Sequence, residues 1–376
     1  MIPIARPWCG DEELEELRTV LASGMLTQGP RVAVFEQAVK EVVGTRHAFA
    51  MSSATTALHL CLVALGIGPG DEVLVSDFSY PATGNVVVQT GATPIFVDVD
   101  LNTYAMSADD FGAKISARTK AALVVHPFGL MADIKSIKDI ADRHGVALIE
   151  DAACALGAAA PEGKAGALGR MGCFSFHPRK SITTGEGGMI TTNDDALAER
   201  IALLRTHGGV RKDWYLSFLD AGYNYRMSDI NAAVGVAQMR KLGALLAARQ
   251  SHAQRLRSLL SDCPLLTLPF EPPGRTHTYQ SFVVLLDAAV ARDAVIGALR
   301  ARGIETTLGT YAMHSEPAMT SRYGTNTSCP NSARLARQTL TLPLWAQMDE
   351  HVLAEVAHHV REVLTAPPTR VSGVAQ

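Results

Sequence analysis

Short β-rich runs alternate with segments of helical periodicity along the first half of the chain. The β-rich runs lie at 72–76, 93–97, 121–125 and 146–150. Strands that alternate with helices in this way form a mostly parallel sheet with helices packed on its faces. The sequence therefore predicts an α/β fold.

Residues 133–151 form one complete unit of this alternation. Asp133 can cap a helix, and Gly145 can end it. The apolar face of this helix consists of Ile134, Ile137, Ile140 and Ala141. The apolar run 146–150 follows as a buried strand, so Asp151 lies at the carboxyl end of a strand. Ligands bind at that edge in open α/β sheets.

The second half of the chain predicts a smaller α+β domain. Its first elements are one long or two consecutive helices over 229–260 and the proline-rich loop 264–274. At the other end of the chain, a helix over 11–23 opens the fold. The elements expected beyond the proline-rich loop are a strand (279–286), a helix (289–302), a short strand (304–307) and a helix (349–364). We predict an N-terminal segment and large domain over 1–240, and a connecting helix and small domain over 241–376. The residues from Ala366 onward are expected to form a tail.

Composition and charge exclude several classes of protein. The 34 Lys and Arg residues nearly balance the 37 Asp and Glu residues, and no basic patch indicates a nucleic-acid partner. No apolar stretch approaches the length of a membrane span, and the N-terminus lacks the pattern of a signal peptide. The six cysteines are scattered, which predicts neither a disulfide framework nor a metal site. We expect a cytoplasmic protein.

The run 174–188 has a single lysine, Lys180, between hydroxyl side chains and a glycine-rich turn. A lysine amine can form an imine with an aldehyde cofactor where its environment lowers its proton affinity. An ordinary surface lysine is the alternative. Asp151 could hold a pyridinium nitrogen in its protonated form, although a carboxylate there could equally cap the next loop.

The run 51–60 predicts a strand, a hydroxyl-rich turn and a helix. Backbone N–H groups at that helix start, beside Thr55 and Thr56, suit a phosphate. A simple Ser/Thr cap of the helix is the alternative. Tyr80, after the strand 72–76, could stack on a flat heterocycle or serve only in packing.

Together these stretches resemble the DegT-type family of sugar aminotransferases, within the fold-type I enzymes that depend on pyridoxal 5'-phosphate (PLP). The resemblance runs almost end to end, through residues 24–30, 35–36, 52–60, 68–73, 91–98, 149–153, 174–188 and 222–229. It implies a large domain with a mostly parallel mixed sheet flanked by helices, and a smaller α+β C-terminal domain. It also implies a homodimer with shared active sites.

The resemblance assigns roles to individual residues. Lys180 is implied to be the Schiff-base lysine and the proton carrier, with Asp151 on the pyridine nitrogen and Tyr80 on the ring. The implied phosphate-binding positions are Thr55, Thr56 and Ser175, together with Asn224 from the neighbouring subunit. Ser53 and Ala54 are further implied cofactor-binding positions. Cys154 occupies a cofactor-contacting position where the family usually has Gln or His. No metal is implied.

The implied reaction transfers an amino group from an amino acid, usually glutamate, to PLP, which gives pyridoxamine 5'-phosphate (PMP). The amino group then passes to a ketone on a nucleotide-linked sugar. A cyclitol or other carbocyclic ketone is an alternative acceptor. Residues 307–314 depart from the family's usual His-Tyr pair and later His, so the substrate-facing loop differs. A sugar dehydratase and a non-catalytic regulatory homologue are further alternatives, which the presence of Lys180 disfavours.

Overall fold

The structure, a computed structural model, describes residues 1–324 and 327–365. The predicted tail from Ala366 lies outside the described residues. The helices are α1 (Asp11–Ser23), α2 (Pro30–Val43), α3 (Ala54–Ala64), α4 (Ala82–Gln89), α5 (Ala108–Ala113), α6 (Ile134–His144), α7 (Asp195–Leu204), α8 (Asp229–Leu260), α9 (Arg292–Ala301), α10 (Pro317–Tyr323), α11 (Pro330–Gln338) and α12 (Glu350–Thr365).

The strands are β1 (His47–Met51), β2 (Glu72–Ser76), β3 (Phe78–Ser79), β4 (Thr93–Val97), β5 (Thr119–Val125), β6 (Ala147–Asp151), β7 (Ala159–Ala160), β8 (Gly163–Lys164), β9 (Met171–Ser175), β10 (Gly188–Thr192), β11 (Gly209–Arg211), β12 (Leu216–Phe218), β13 (Leu266–Thr267), β14 (Phe282–Leu286), β15 (Thr307–Leu308), β16 (Tyr311–Ala312) and β17 (Thr339–Leu342). Short 3-10 turns lie at Pro127–Gly129 and Met313–Ser315.

The large sheet has seven strands in the order β1-β10-β9-β6-β5-β2-β4. The strands from β9 to β4 are parallel, and β10 runs antiparallel to both of its neighbours. Apolar side chains of adjacent strand residues enter two different clusters: Leu74 packs in one, and Val73 and Val75 in the other. Both faces are therefore covered, as continuous apolar strands require. The predicted mostly parallel α/β sheet is confirmed.

A smaller antiparallel sheet, β13-β14-β17-β15, lies in the C-terminal part. Its core includes Ala253, Leu256 and Leu260 from the second half of α8, together with side chains of α9 and α12. Of the two alternatives predicted for 229–260, one long helix or two consecutive ones, the structure has one, α8, which extends from the large sheet into this second core. The division at residues 240 and 241 stays a prediction.

Two strands of the C-terminal part differ from the sequence prediction. β14 begins at Phe282 rather than at 279, because Tyr279 has a φ of 49°, outside the β region. The strand expected at 304–307 is found at Thr307–Leu308. Ile304 instead forms an isolated parallel bridge with Ile2 near the N-terminus. Local sequence periodicity predicts neither the backbone conformation of Tyr279 nor the pairing of Ile304 with Ile2.

The start of α8 fixes the start of α2. The side chain of Asp229, which is 2% exposed, accepts hydrogen bonds from the backbone N–H groups of Gly29 and Val32 at 2.9 Å and of Arg31 at 3.1 Å. Four N–H groups at a helix N-terminus lack helical acceptors, and this carboxylate satisfies several of them. The first 30 residues are thereby attached to the large domain.

Candidate active site

Three neighbouring strands of the large sheet meet at one edge: β1 and β9 end there, and β10 begins there. In the register of the sheet, Gly188 at the start of β10 lies between Met51 of β1 and Ser175 of β9. A Cβ atom on Gly188 would come within 2.4 Å of the carbonyl carbon and oxygen of Ser53 and 2.6 Å of the nitrogen of Ala54. Only glycine permits this approach, which places the start of α3 directly on the sheet edge.

The start of α3 is a cup of backbone N–H groups. The Ser53 side chain caps the helix by accepting from the N–H of Thr56 at 3.1 Å, and the N–H of Ser53 donates to the Thr56 hydroxyl at 3.1 Å. Within the described part of the chain, the N–H groups of Ala54 and Thr55 have no acceptor. These donors and the helix dipole suit an anion. Ser175, the last residue of β9, pairs with Gly188, the residue that approaches the start of α3.

The hydroxyl groups of Thr55 and Thr56 in this turn differ in their hydrogen bonds. The hydroxyl of Thr56 donates to the carbonyl oxygen of Ser53 at 2.9 Å, so its hydrogen is used within the cap. Thr55 makes no side-chain hydrogen bond within the described residues. The hydroxyl of Thr55 therefore remains available to a ligand, whereas that of Thr56 shapes the turn.

Asp151 is the last residue of β6 and is 5% exposed. Its Oδ2 atom accepts from the Thr83 hydroxyl at 2.8 Å, and its Oδ1 atom accepts from the backbone N–H of Ala153 at 3.2 Å. Burial raises the pKa of Asp151 above its ordinary value, against the lowering effect of both hydrogen bonds and of the charge of Lys180. Each carboxylate oxygen keeps a lone pair for a ligand.

Lys180 is half-buried in the loop between β9 and β10. Its backbone N–H donates to the carbonyl oxygen of His177 at 2.8 Å, and its Nζ atom lies 3.1 Å from the Sγ atom of Cys154. Cys154 follows Asp151 by three residues, so the thiol, the amine and the buried carboxylate come from adjacent strand ends. Sulfur is a weak hydrogen-bonding partner, which leaves the amine free to react.

Tyr80 follows β3 and is 69% exposed. Its ring meets that of Tyr311 edge to face, with centroids 6.4 Å apart. Tyr311 lies in β16, which pairs with β3. An exposed aromatic face is therefore held near the sheet edge by the C-terminal part of the chain.

Asn224 is exposed and lies on the segment between β12 and α8. Two residues later, Arg226 forms an antiparallel bridge with Met51, beside the N–H cup. The β11–β12 hairpin that precedes this segment carries exposed apolar side chains: Val210, Trp214, Tyr215, Leu216, Phe218 and Leu219. A cluster of exposed aromatic and aliphatic side chains is typical of a protein contact.

Three buried residues beneath this edge are not predicted by the sequence. Thr83 supports Asp151 from α4. Glu150, fully buried, accepts from the His126 ring at 2.8 Å and from the N–H groups of Gly166, Leu168 and Gly169 at 2.6–2.9 Å. Burial raises the pKa of Glu150, but these hydrogen bonds outweigh that effect and hold the pKa below its ordinary value. The only local signal was a carboxylate inside an apolar strand.

The donor set of this edge fits PLP. The cofactor has an aldehyde, a ring nitrogen and a phosphate, and the edge offers an amine, a buried carboxylate and a cup of N–H groups. The fold and this edge define the class: a PLP-dependent aminotransferase of fold-type I.

Comparison with known proteins gives the family. The sequence profile of the DegT/DnrJ/EryC1/StrS aminotransferase family matches residues 7–361, and the chain belongs to that family. It is 34% identical to the spore coat polysaccharide biosynthesis protein SpsC of Bacillus subtilis, over 96% of this chain and 97% of SpsC. The chain is a PLP-dependent sugar aminotransferase.

Solved structures agree with this assignment. The aminotransferase TlmJ from Streptoalloteichus hindustanus is 35% identical and superposes with a TM-score of 0.92, over 97% of this chain and 99% of TlmJ. A Streptococcus pneumoniae protein solved in a PLP form shares the fold, with a TM-score of 0.92 at 24% identity over 96% of this chain and 98% of that protein. The same protein has also been solved in a PMP form.

Proposed function

We propose that this enzyme transfers an amino group from an amino acid, L-glutamate, to the keto group of a nucleotide-linked sugar in amino-sugar biosynthesis. The observation that carries the proposal is the convergence of Lys180, Asp151 and the start of α3 at one sheet edge. SpsC, whose name assigns it to polysaccharide biosynthesis, supports a sugar as acceptor.

Each residue at the edge has a proposed part in this transfer. Bound PLP supplies an electron sink, and as PMP it carries the amino group between the two half-reactions. Lys180 holds the cofactor covalently through Nζ and, once released, moves a proton at that atom to and from the substrate carbon. Asp151 keeps the ring nitrogen protonated through its carboxylate. Tyr80 covers the ring.

The phosphate is assigned to the cup at the start of α3. The N–H groups of Ala54 and Thr55 donate to it, with the hydroxyls of Thr55 and Ser175, while Ser53 and Thr56 shape the turn. Cys154, whose thiol lies 3.1 Å from Lys180 Nζ, would contact the cofactor. Asp151 and the N–H groups at the start of α3 would together orient the cofactor, one at its ring nitrogen and the other at its phosphate.

We also propose a homodimer in which Asn224 reaches the phosphate site of the neighbouring subunit. Trp214 and Phe218 of the β11–β12 hairpin are 86% and 63% exposed, and a second copy of the chain would cover such side chains.

No helix in the described ranges is both long and apolar enough to cross a bilayer. We propose that the reaction takes place in the cytoplasm. All six cysteines are free thiols, which fits a reducing compartment.

The proposal is tested by following the visible absorbance of the purified holoenzyme. L-Glutamate should bleach the band, and a nucleotide-linked keto-sugar should restore it. The panel contains free keto-sugars and cyclitol ketones as the competing acceptors, and D-glutamate as the donor control. Recovery with a cyclitol ketone alone would replace the sugar as acceptor, and failure of all amino acids to bleach the band would refute the aminotransferase proposal.

A further inference from the structure

A chain of two hydroxyl groups ends on Asp151. The Ser79 Oγ atom lies 2.8 Å from the Thr83 Oγ1 atom, which lies 2.8 Å from the Asp151 Oδ2 atom. The three residues are 4%, 1% and 5% exposed. They come from β3, α4 and β6, so the chain joins three separate elements of the large domain.

The direction of donation along this chain follows from the number of hydrogen atoms. A carboxylate only accepts, so the single hydroxyl hydrogen of Thr83 points to Asp151. The Thr83 oxygen can then only accept from Ser79, whose hydroxyl must donate. Thr83 is the one side chain among the described residues that donates to Asp151; the other donor is the backbone N–H of Ala153.

This donation opposes the effect of burial. A carboxylate removed from water without donors takes up a proton, and burial already raises the pKa of Asp151. A protonated Asp151 could not hold a proton on the ring nitrogen of the cofactor. The hydroxyl of Thr83 favours the charged form, and the hydroxyl of Ser79 strengthens that donation by fixing the orientation of Thr83.

We propose that Thr83 is a positioning residue of the amino-transfer reaction: its hydroxyl, oriented by Ser79, keeps Asp151 ionised and aimed at the cofactor. This inference rests on the proposed role of Asp151. Its chemical basis is one charge-assisted hydrogen bond, for which we expect about a 10- to 100-fold effect, or on the order of 1.4–2.8 kcal/mol.

The test compares Thr83→Val, which keeps the shape, with Thr83→Ser, which keeps the hydroxyl. Two quantities are measured: the dissociation constant for PLP by equilibrium dialysis, and kcat as a function of pH. Thr83→Val should weaken PLP binding about 10- to 100-fold near neutral pH and move the acidic limb of the kcat profile to higher pH by about one to two units. Thr83→Ser should stay within about threefold of wild type with an unmoved limb.

Two further variants separate this effect from a general loss of packing. The hydroxyl of Thr192, also buried, donates to the Arg170 carbonyl at 2.7 Å at the opposite end of β10 from Gly188. Thr192→Val should leave the PLP dissociation constant and the acidic limb unchanged. Ser79→Ala should shift both in the direction of Thr83→Val by a smaller factor. An unmoved limb in Thr83→Val, or equal losses in the serine and valine variants, would overturn the inference.

Asp151→Asn distinguishes this inference from the proposed function. If Asp151→Asn retains wild-type PLP affinity and turnover, the proposed role of Asp151 fails together with the inference about Thr83. If Asp151→Asn loses both while Thr83→Val keeps both, the proposed function stands and the inference about Thr83 alone is refuted.

Discussion

The Nδ1 atom of His314 lies 2.6 Å from the Oδ2 atom of Asp77, and the backbone N–H of His314 donates to the Oδ1 atom at 2.7 Å. Asp77 follows β2 and is fully buried, whereas His314 belongs to the C-terminal part of the chain. Together with the β3–β16 pairing, this contact fastens the segment that carries Tyr311 to the large sheet. The surrounding titratable groups are Asp98, Lys114 and Cys329.

We expect the stabilisation from this pair to decrease at high pH. The hydrogen bond to Asp77 raises the pKa of His314 above its ordinary value of about 6.5. The contribution is therefore fully present below that ordinary value and is lost as the pH rises through the higher pKa of the folded protein. The melting temperature of wild type should exceed that of His314→Asn by more at pH 6 than at pH 9. His358→Asn, on the exposed face of α12, is the control, and a gap that widens with pH would contradict the account.

Glu150 should be important for stability although it lies outside the proposed chemistry. The backbone N–H of Ala132 donates to Nδ1 of His126, so the His126 Nε2 atom carries the hydrogen and donates to Glu150. Glu150→Gln places an amide where the carboxylate accepts several N–H groups, and should lower the free energy of unfolding by about 3 kcal/mol. Urea unfolding measures this. The exposed Glu199→Gln should change it by less than about 0.5 kcal/mol, and a similar value for both variants would argue against the network.

The sequence predicted those parts of the site that have local signals. Asp151 was placed at a strand end because the run before it is continuously apolar, and β6 ends there. The cap by Ser53 follows from its position before an apolar helical face. Thr83, His126 and their carboxylate partners lie far apart in the sequence, and their hydrogen bonds depend on how the strands are ordered in the sheet. No local pattern contains that order.

Gly188 is crowded and Gly243 is not, so we expect opposite effects on stability when each is replaced by alanine. Gly188→Ala inserts a Cβ atom against the backbone of Ser53 and Ala54, so the N–H cup must move. We expect the free energy of unfolding to fall by about 1–3 kcal/mol and PLP binding to weaken. Gly243→Ala meets nothing within 4 Å in the middle of α8 and should stabilise by about 0.5–1 kcal/mol. Wild-type PLP affinity in Gly188→Ala would contradict the phosphate assignment.

Shared active sites predict recovery of activity in mixed dimers. Lys180→Ala removes the amine of a site, and Asn224→Ala removes the side chain that the chain is proposed to contribute to its neighbour. Each variant alone should be nearly inactive, yet a hybrid of one subunit of each has one intact site. Subunits mixed after mild dissociation should recover up to about a quarter of wild-type activity, as expected for random pairing. No recovery, despite hybrids detected by native mass spectrometry, would contradict the sharing of Asn224.

The central claim is that the amine of Lys180 is the covalent attachment point of PLP. Borohydride reduction of the holoenzyme, followed by peptide mass spectrometry, tests it most directly. One cofactor mass should appear on the peptide that contains Lys180 and be absent from Lys180→Ala, while Lys164→Arg, which alters a lysine that donates to the carbonyl of Val42, should be labelled like wild type. Specific labelling of another lysine, or labelling and full turnover in Lys180→Ala, would contradict the account.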